Sequence, residues 1–226
     1  MAVLPFVDVK PNGTVKAAVV WLHGLGDSGH GFAPIVPELR IPADAGIRFI
    51  FPHAPEQPVT VNGGMRMRAW YDIKTMDLTN RADEAGVRES AHAVQQLLDQ
   101  LIADGLDSER IVLAGFSQGG VIALHLLARL PYKLAGVMAL STYMCAPDKL
   151  AAEATASNKS IPVFFGHGTQ DPVVPVAAGQ QAFHALKKQG FQVSWHDYRM
   201  EHSVCAQEVA DISSFLQRLF MTAKEN

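Results

Sequence analysis

Ser117 lies within Leu113-Ala114-Gly115-Phe116-Ser117-Gln118-Gly119-Gly120, with a glycine two residues away on each side. A serine hydroxyl becomes a useful nucleophile only when a neighbouring base removes its proton. The reaction it then performs is attack on an acyl carbonyl, such as that of an ester or thioester. The spacing serves that reaction. Gly115 and Gly119 lack the side chains that would collide where a strand turns sharply into a helix, so the serine projects from a strained turn. Backbone N–H groups at the start of the helix have no partner inside it, and that of Gln118 is placed to hydrogen-bond an oxyanion formed on the attacked carbonyl.

The flanking elements support such a turn. Arg110-Ile111-Val112-Leu113-Ala114 is β-branched and apolar without alternation, as a strand buried on both faces should be. Val121 to Leu130 is apolar enough for a buried helix, and Pro131 stops it. A Gly-x-Ser-x-Gly alone arises by accident in unrelated chains. The strand before it and the helix after it separate a nucleophile from a tight turn whose serine does nothing.

Activation needs a base and an acid to orient it. On an α/β-hydrolase sheet these follow in the order serine, acid, histidine, on loops at the C-terminal ends of strands. Asp171 follows the strand-like run Ile161 to Gly166 through a short polar loop and is the best-placed acid. Asp148 and Glu153 stand in reserve, and Asp197 falls inside a strand. With Asp171 as acid, the order excludes His23, His30, His53, His92 and His167. His184 falls in a helix and His196 in a strand, whereas His202 lies between the final strand and the final helix, which makes it the candidate base.

A competing chemistry is written in Gly24, Gly26 and Gly29, which spell the dinucleotide fingerprint Gly-x-Gly-x-x-Gly directly after a strand. Its context fails. Pro34 and Pro37 interrupt the helix that should open at the third glycine, and the next strand, Ile47 to Phe51, ends in Pro52-His53 rather than an acidic residue. The same glycines suit a loop that curls toward Ser117 and offers the backbone N–H of Leu25 as a second oxyanion donor.

The elements that must hold these residues alternate between strand and helix, which predicts an α/β fold with a mostly parallel central sheet covered by helices on both faces. No linker divides the chain, so one domain over 1–226 is expected. Val3 to Val9 and Val15 to Leu22, separated by Pro11-Asn12-Gly13, read as an antiparallel edge hairpin. Val87, Ala91, Val94, Leu98 and Leu101 mark one face of a helix over 84–104 that Gly105 ends. Later strands are expected at 134–140, 161–166 and 192–198, with helices at 177–189 and 204–221. Residues 52–82 show only the alternation of 59–61 and 65–68 around Asn62-Gly63-Gly64, a hairpin signal. So long a connection points to a lid-like or binding insertion, from which Met65, Met67, Trp70 and Tyr71 are candidates to line an acyl pocket.

Four stretches together resemble a known family. His23-Gly24-Leu25-Gly26-Asp27, Gly115 to Gly120, Gly166 to Pro175 and Glu201-His202-Ser203 are similar, in one collinear register from about Val15 to the last helix, to the bacterial carboxylesterase and acyl-protein thioesterase family. The resemblance implies an α/β-hydrolase that needs no cofactor and no metal. It implies Ser117 as nucleophile, Asp171 and His202 completing the triad, and the N–H groups of Leu25 and Gln118 as the oxyanion hole. It further implies a hydrophobic acyl channel bordered by Met65, Trp70, Tyr143 and Val174. Glu201 departs from the pattern, since many of those relatives carry glycine before the histidine.

Composition narrows the partners. With 226 residues, 48% of them hydrophobic, and a net charge of -3, the chain can bury a large core and has no basic balance with which to hold a nucleic acid. Cys145 and Cys205 lack metal or redox spacing and read as free thiols. Residues 1–8 lack the basic segment and apolar run of a signal peptide, and no stretch has membrane-spanning length, so a cytoplasmic protein is expected. The expected partner is a small-molecule or lipid-like acyl ester or thioester. An acylated protein and a membrane surface are further options, and the 52–82 segment is a candidate surface for membrane contact or a homodimer. Lysophospholipase or acyl-protein thioesterase activity is the alternative to a general carboxylesterase. A catalytically silent binding module on the same fold and a nucleotide-dependent oxidoreductase are the readings from other classes.

Overall fold

In the computed structural model, which describes residues 4–75, 77 and 82–221, the unbroken apolar runs form the central strands. In chain order the strands are β1 (Phe6–Val9), β2 (Ala17–Leu22), β3 (Ile47–Pro52), β4 (Glu56–Val59), β5 (Met65–Arg68), β6 (Ile111–Phe116), β7 (Gly136–Leu140), β8 (Pro162–Gly168) and β9 (Gln192–Tyr198). More polar or alternating segments form β1, β4, β5 and β9. Seven make one sheet in the order β1-β3-β2-β6-β7-β8-β9, and β4 and β5 pair separately. Every pairing in the large sheet is parallel except β1 with β3. β2 and β7 are buried at every residue, the condition under which a strand needs no polar alternation.

The helices are α1 (Gly29–Phe32), α2 (Ile35–Glu38), α3 (Glu84–Ala103), α4 (Gln118–Arg129), α5 (Leu150–Glu153), α6 (Val176–Lys188) and α7 (Ala206–Met221). Side chains along each strand alternate between two cores. Ala18, Val20 and Leu22 of β2 pack toward α3, α4 and α6, whereas Ala17, Val19 and Trp21 pack toward α7. The predicted face of α3, Val87, Ala91, Val94, Leu98 and Leu101, is buried throughout. Among the described residues, no helix is long and apolar enough to cross a membrane.

Two local expectations change. The first two strands do not pair with each other, because β2 has β3 on one side and β6 on the other, both parallel. β1 instead runs antiparallel along β3, where Asp8 receives both Nε (2.8 Å) and Nη2 (2.9 Å) of Arg48. The Pro11-Asn12-Gly13 turn reverses the chain without closing a hairpin. In the ribbon, β5 keeps its predicted span, but its partner is Glu56–Val59, with Thr60–Asn62 in a 3-10 turn and Gly63 and Gly64 at positive φ. Residues 76 and 78–81 of the expected insertion lie outside the described residues.

Candidate active site

The parallel strands deliver their following loops to one edge of the sheet, and the chemistry gathers there. β6 ends at Phe116 and α4 begins at Gln118, leaving Ser117 alone in the turn at φ 52° and ψ -116°, a strained conformation for a residue with a Cβ. The strain is held by the surroundings: Ser117 N–H donates to Leu140 O at 2.8 Å, and Thr142 Oγ1 donates to Ser117 O at 2.7 Å. A Cβ at Gly119 would lie 2.5 Å from the carbonyl oxygen of Leu22, and one at Gly115 would collide with the Gly119 carbonyl. Strand and helix approach this closely only through two glycines.

Asp171 comes from the loop after β8, and His202 from the loop between β9 and α7. His202 Nε2 lies 2.9 Å from Ser117 Oγ, and its Nδ1 lies 2.7 Å from Asp171 Oδ2. An imidazole whose Nδ1–H donates to the carboxylate presents its Nε2 lone pair to the serine hydroxyl, the tautomer a general base requires. The Asp171 side chain is wholly buried, and its other oxygen accepts the N–H groups of Val173 and Val174, both at 2.8 Å. His167, excluded by chain order, supports the same loop through a 2.8 Å hydrogen bond from Nε2 to Val174 O. Burial holds its imidazole below the ordinary value, opposed by that bond and by Asp171.

The Gly24–Gly29 loop lies against the turn. A Cβ at Gly24 would sit 3.4 Å from that of Ser117, and Leu25 and Gln118 line the same cavity as Ser117 and His202. His23 anchors the loop from beneath. Its Nδ1–H donates to Gly24 O at 2.7 Å, and its Nε2 accepts from Ala54 N–H at 3.1 Å. Burial lowers its pKa and keeps it neutral, as a ring that both donates and accepts must be. The helix opening at Gly29 is only four residues long, so the long helix of a dinucleotide site is missing from this position.

The cavity beside Ser117 has a volume of about 230 Å³, and Tyr143 and Val174 line it as expected, with Leu25, Tyr71 and Ile73. Two other expected residues lie elsewhere. Met65 stands on the exposed ribbon at 64% exposure. Trp70 is buried beneath the Gly24–Gly29 loop, where Nε1–H donates to His23 O at 2.9 Å, so its indole holds backbone in place. A larger cleft of about 420 Å³ shares Tyr143 but lies between the 143–149 loop and α6, without Ser117 or His202 on its walls. Sequence reasoning passed over the side chain of Gln118, which is 2% exposed and hydrogen-bonded to the backbone of Trp70 and Tyr71. A buried amide at the head of an apolar helix was the available signal.

Known proteins share this arrangement of chain. Residues 6–220 match the model of the phospholipase/carboxylesterase family. An acyl-protein thioesterase 1 of Mycosarcoma maydis is 39% identical over 97% of this chain and 98% of its own. One of Cryptococcus neoformans var. neoformans serotype D is 38% identical, covering 94% and 96%. The crystal structure of Zea mays acyl-protein thioesterase 2 superposes with a TM-score of 0.84 at 30% identity, covering 96% of this chain and 99% of that one. These curated relatives are fungal and give no support to the narrower bacterial grouping. A serine in a strained strand-to-helix turn, an α/β-hydrolase sheet and relatives matched along nearly the whole length agree, and the chain belongs to the phospholipase/carboxylesterase family as a serine hydrolase of carboxylic esters and thioesters.

Proposed function

We propose that Ser117 is the nucleophile, His202 the general base and Asp171 the residue that orients it, and that long-chain acyl thioesters on protein cysteines are the main substrates. The observation that carries the catalytic assignment is the unbroken hydrogen-bonded path from Asp171 through His202 to Ser117. His202 takes the serine proton as Oγ attacks the carbonyl, and the oxyanion is held by the N–H groups of Leu25 and Gln118. Collapse expels the thiol or alcohol, protonated by His202, and water, activated by the same imidazole, releases the acid. None of these steps calls for a metal or cofactor. The substrate assignment draws on the names of the fungal and maize relatives and on the apolar wall of Tyr71, Ile73 and Val174 beside the nucleophile. A single domain working in the cytoplasm is part of the same reading, consistent with two free thiols.

The test is labelling with a fluorophosphonate followed by turnover of an S-palmitoyl peptide, a lysophospholipid and simple esters. One adduct at Ser117 and the highest kcat/KM on the S-palmitoyl peptide are expected. An adduct elsewhere contradicts the catalytic assignment, and preference for the lysophospholipid contradicts the substrate.

A further inference from the structure

The side chain of Gln118 has no task in the mechanism above, where only its backbone N–H acts. Yet it is almost wholly buried, and both ends of its carboxamide are used on consecutive residues of the chain. Oε1 accepts from Trp70 N–H at 2.8 Å, and Nε2 donates to Tyr71 O at 2.7 Å. A carboxamide accepts from one peptide and donates to the next through separate atoms, whatever the pH. An ionised carboxylate supplies no donor and an apolar chain supplies neither.

What the amide holds is a wall of the acyl cavity. Tyr71 lines that cavity, and its hydroxyl lies 2.8 Å from that of Tyr143, which lines it from the loop after β7. The 69–71 strap is tied down at its other atoms as well. Trp70 O accepts from Ser90 Oγ on α3, Trp70 Nε1 reaches His23 O, and Ala69 O accepts from Gln57 Nε2 at 2.7 Å. The Gln118 bonds connect the strap directly to the turn at Ser117, because Gln118 follows Ser117 and opens α4.

We infer that the Gln118 carboxamide is a positioning residue for acyl-chain selection, fixing the Tyr71–Tyr143 wall in register with Ser117 so that one residue sets both the oxyanion donor and the chain-contacting surface. This rests on the proposed catalysis at Ser117. Its consequence is specific. An acetyl group ends near the oxyanion hole, whereas an octanoyl group extends along the wall, so loss of the amide acts chiefly on the longer chain.

Two variants test it, each assayed for kcat and KM on acetyl and octanoyl p-nitrophenyl esters. Gln118→Met keeps the volume and removes both hydrogen bonds. The ratio of octanoyl to acetyl kcat/KM is expected to fall about ten-fold, the loss showing as a raised KM for the octanoyl ester. Gln118→Glu replaces one atom group. Ionised, it opposes the Tyr71 carbonyl; protonated, it restores a donor and an acceptor. Its ratio of octanoyl to acetyl kcat/KM, divided by the wild-type ratio at the same pH, is expected to climb as pH falls from 8 to 5. The division removes the dependence that both proteins owe to His202. Equal losses on both esters for Gln118→Met, or a flat octanoyl-to-acetyl ratio, normalised in this way, for Gln118→Glu, would overturn the inference. If Gln118→Met does not fold, the pH series decides alone. Wild-type protein that hydrolyses neither ester and takes no fluorophosphonate at Ser117 strikes the proposed function itself, a result distinct from active wild-type protein whose variants lose chain discrimination nowhere.

Discussion

Asp171 Oδ2 sits 2.7 Å from His202 Nδ1, while Oδ1 of the same carboxylate is held by two backbone N–H groups at 2.8 Å. The acid is therefore locked on one side and presented to the imidazole on the other. Asp171→Asn can keep the backbone contacts, but an amide turned toward Nδ1 donates where the carboxylate accepted and favours the wrong tautomer. By analogy with other serine hydrolases, kcat should fall by about ten-thousand-fold. Steady-state kinetics with a melting curve checks this: a small kinetic loss, or a large loss explained by unfolding, speaks against the assigned role.

Gly119→Ala places a methyl group 2.5 Å from Leu22 O and 2.7 Å from His23 O, backbone atoms of β2 and of the loop that carries Leu25. Neither can swing aside as a side chain would. Overpacking of this kind costs about 1–3 kcal/mol, and here it also pushes the loop carrying Leu25 from the serine. Denaturant unfolding should show the destabilisation, and kcat should drop further than stability alone accounts for. Wild-type turnover in this variant would mean that the loop does not need its present distance from the turn.

Glu208, in the first turn of α7, has no exposed surface, and neither carboxyl oxygen has a hydrogen-bond partner among the described residues. Burial, with a smaller contribution from Asp211, pushes its pKa up to about 8. The folded protein thus holds this proton more tightly than the unfolded chain does. Stability from the group is fully present below the unfolded value near 4.5 and is lost as pH rises toward 8. Glu208→Gln, neutral throughout, should melt at least about 3 °C higher than wild type at pH 8.5, with the gap narrowing toward pH 5. A gap independent of pH would show that charge is not the cause.

Much of this organisation can be read from residue order because its causes are local. Apolar runs too uniform for a surface strand, such as Val112 to Ala114, announce burial, and the loop position of His202 singles it out from eight other histidines. What escapes is set by partners distant in the chain. β1 chooses β3 through Asp8 and Arg48, forty residues apart, and nothing near Pro11-Asn12-Gly13 reports that choice. By residue type alone, Met65 and Trp70 suit an acyl channel. The ribbon carries Met65 into solvent, and the backbone carbonyl of His23 claims the indole. Glu208 was legible in part, since it shares its helix face with Ile212 and Phe215, both buried.

The central claim is that the Ser117 hydroxyl becomes covalently acylated, and its most direct test is the turnover of Ser117→Ala on an acyl thioester. With the fold intact by melting temperature, kcat is expected to fall by about a million-fold. Retention of even a hundredth of the wild-type rate by that folded variant would contradict the account.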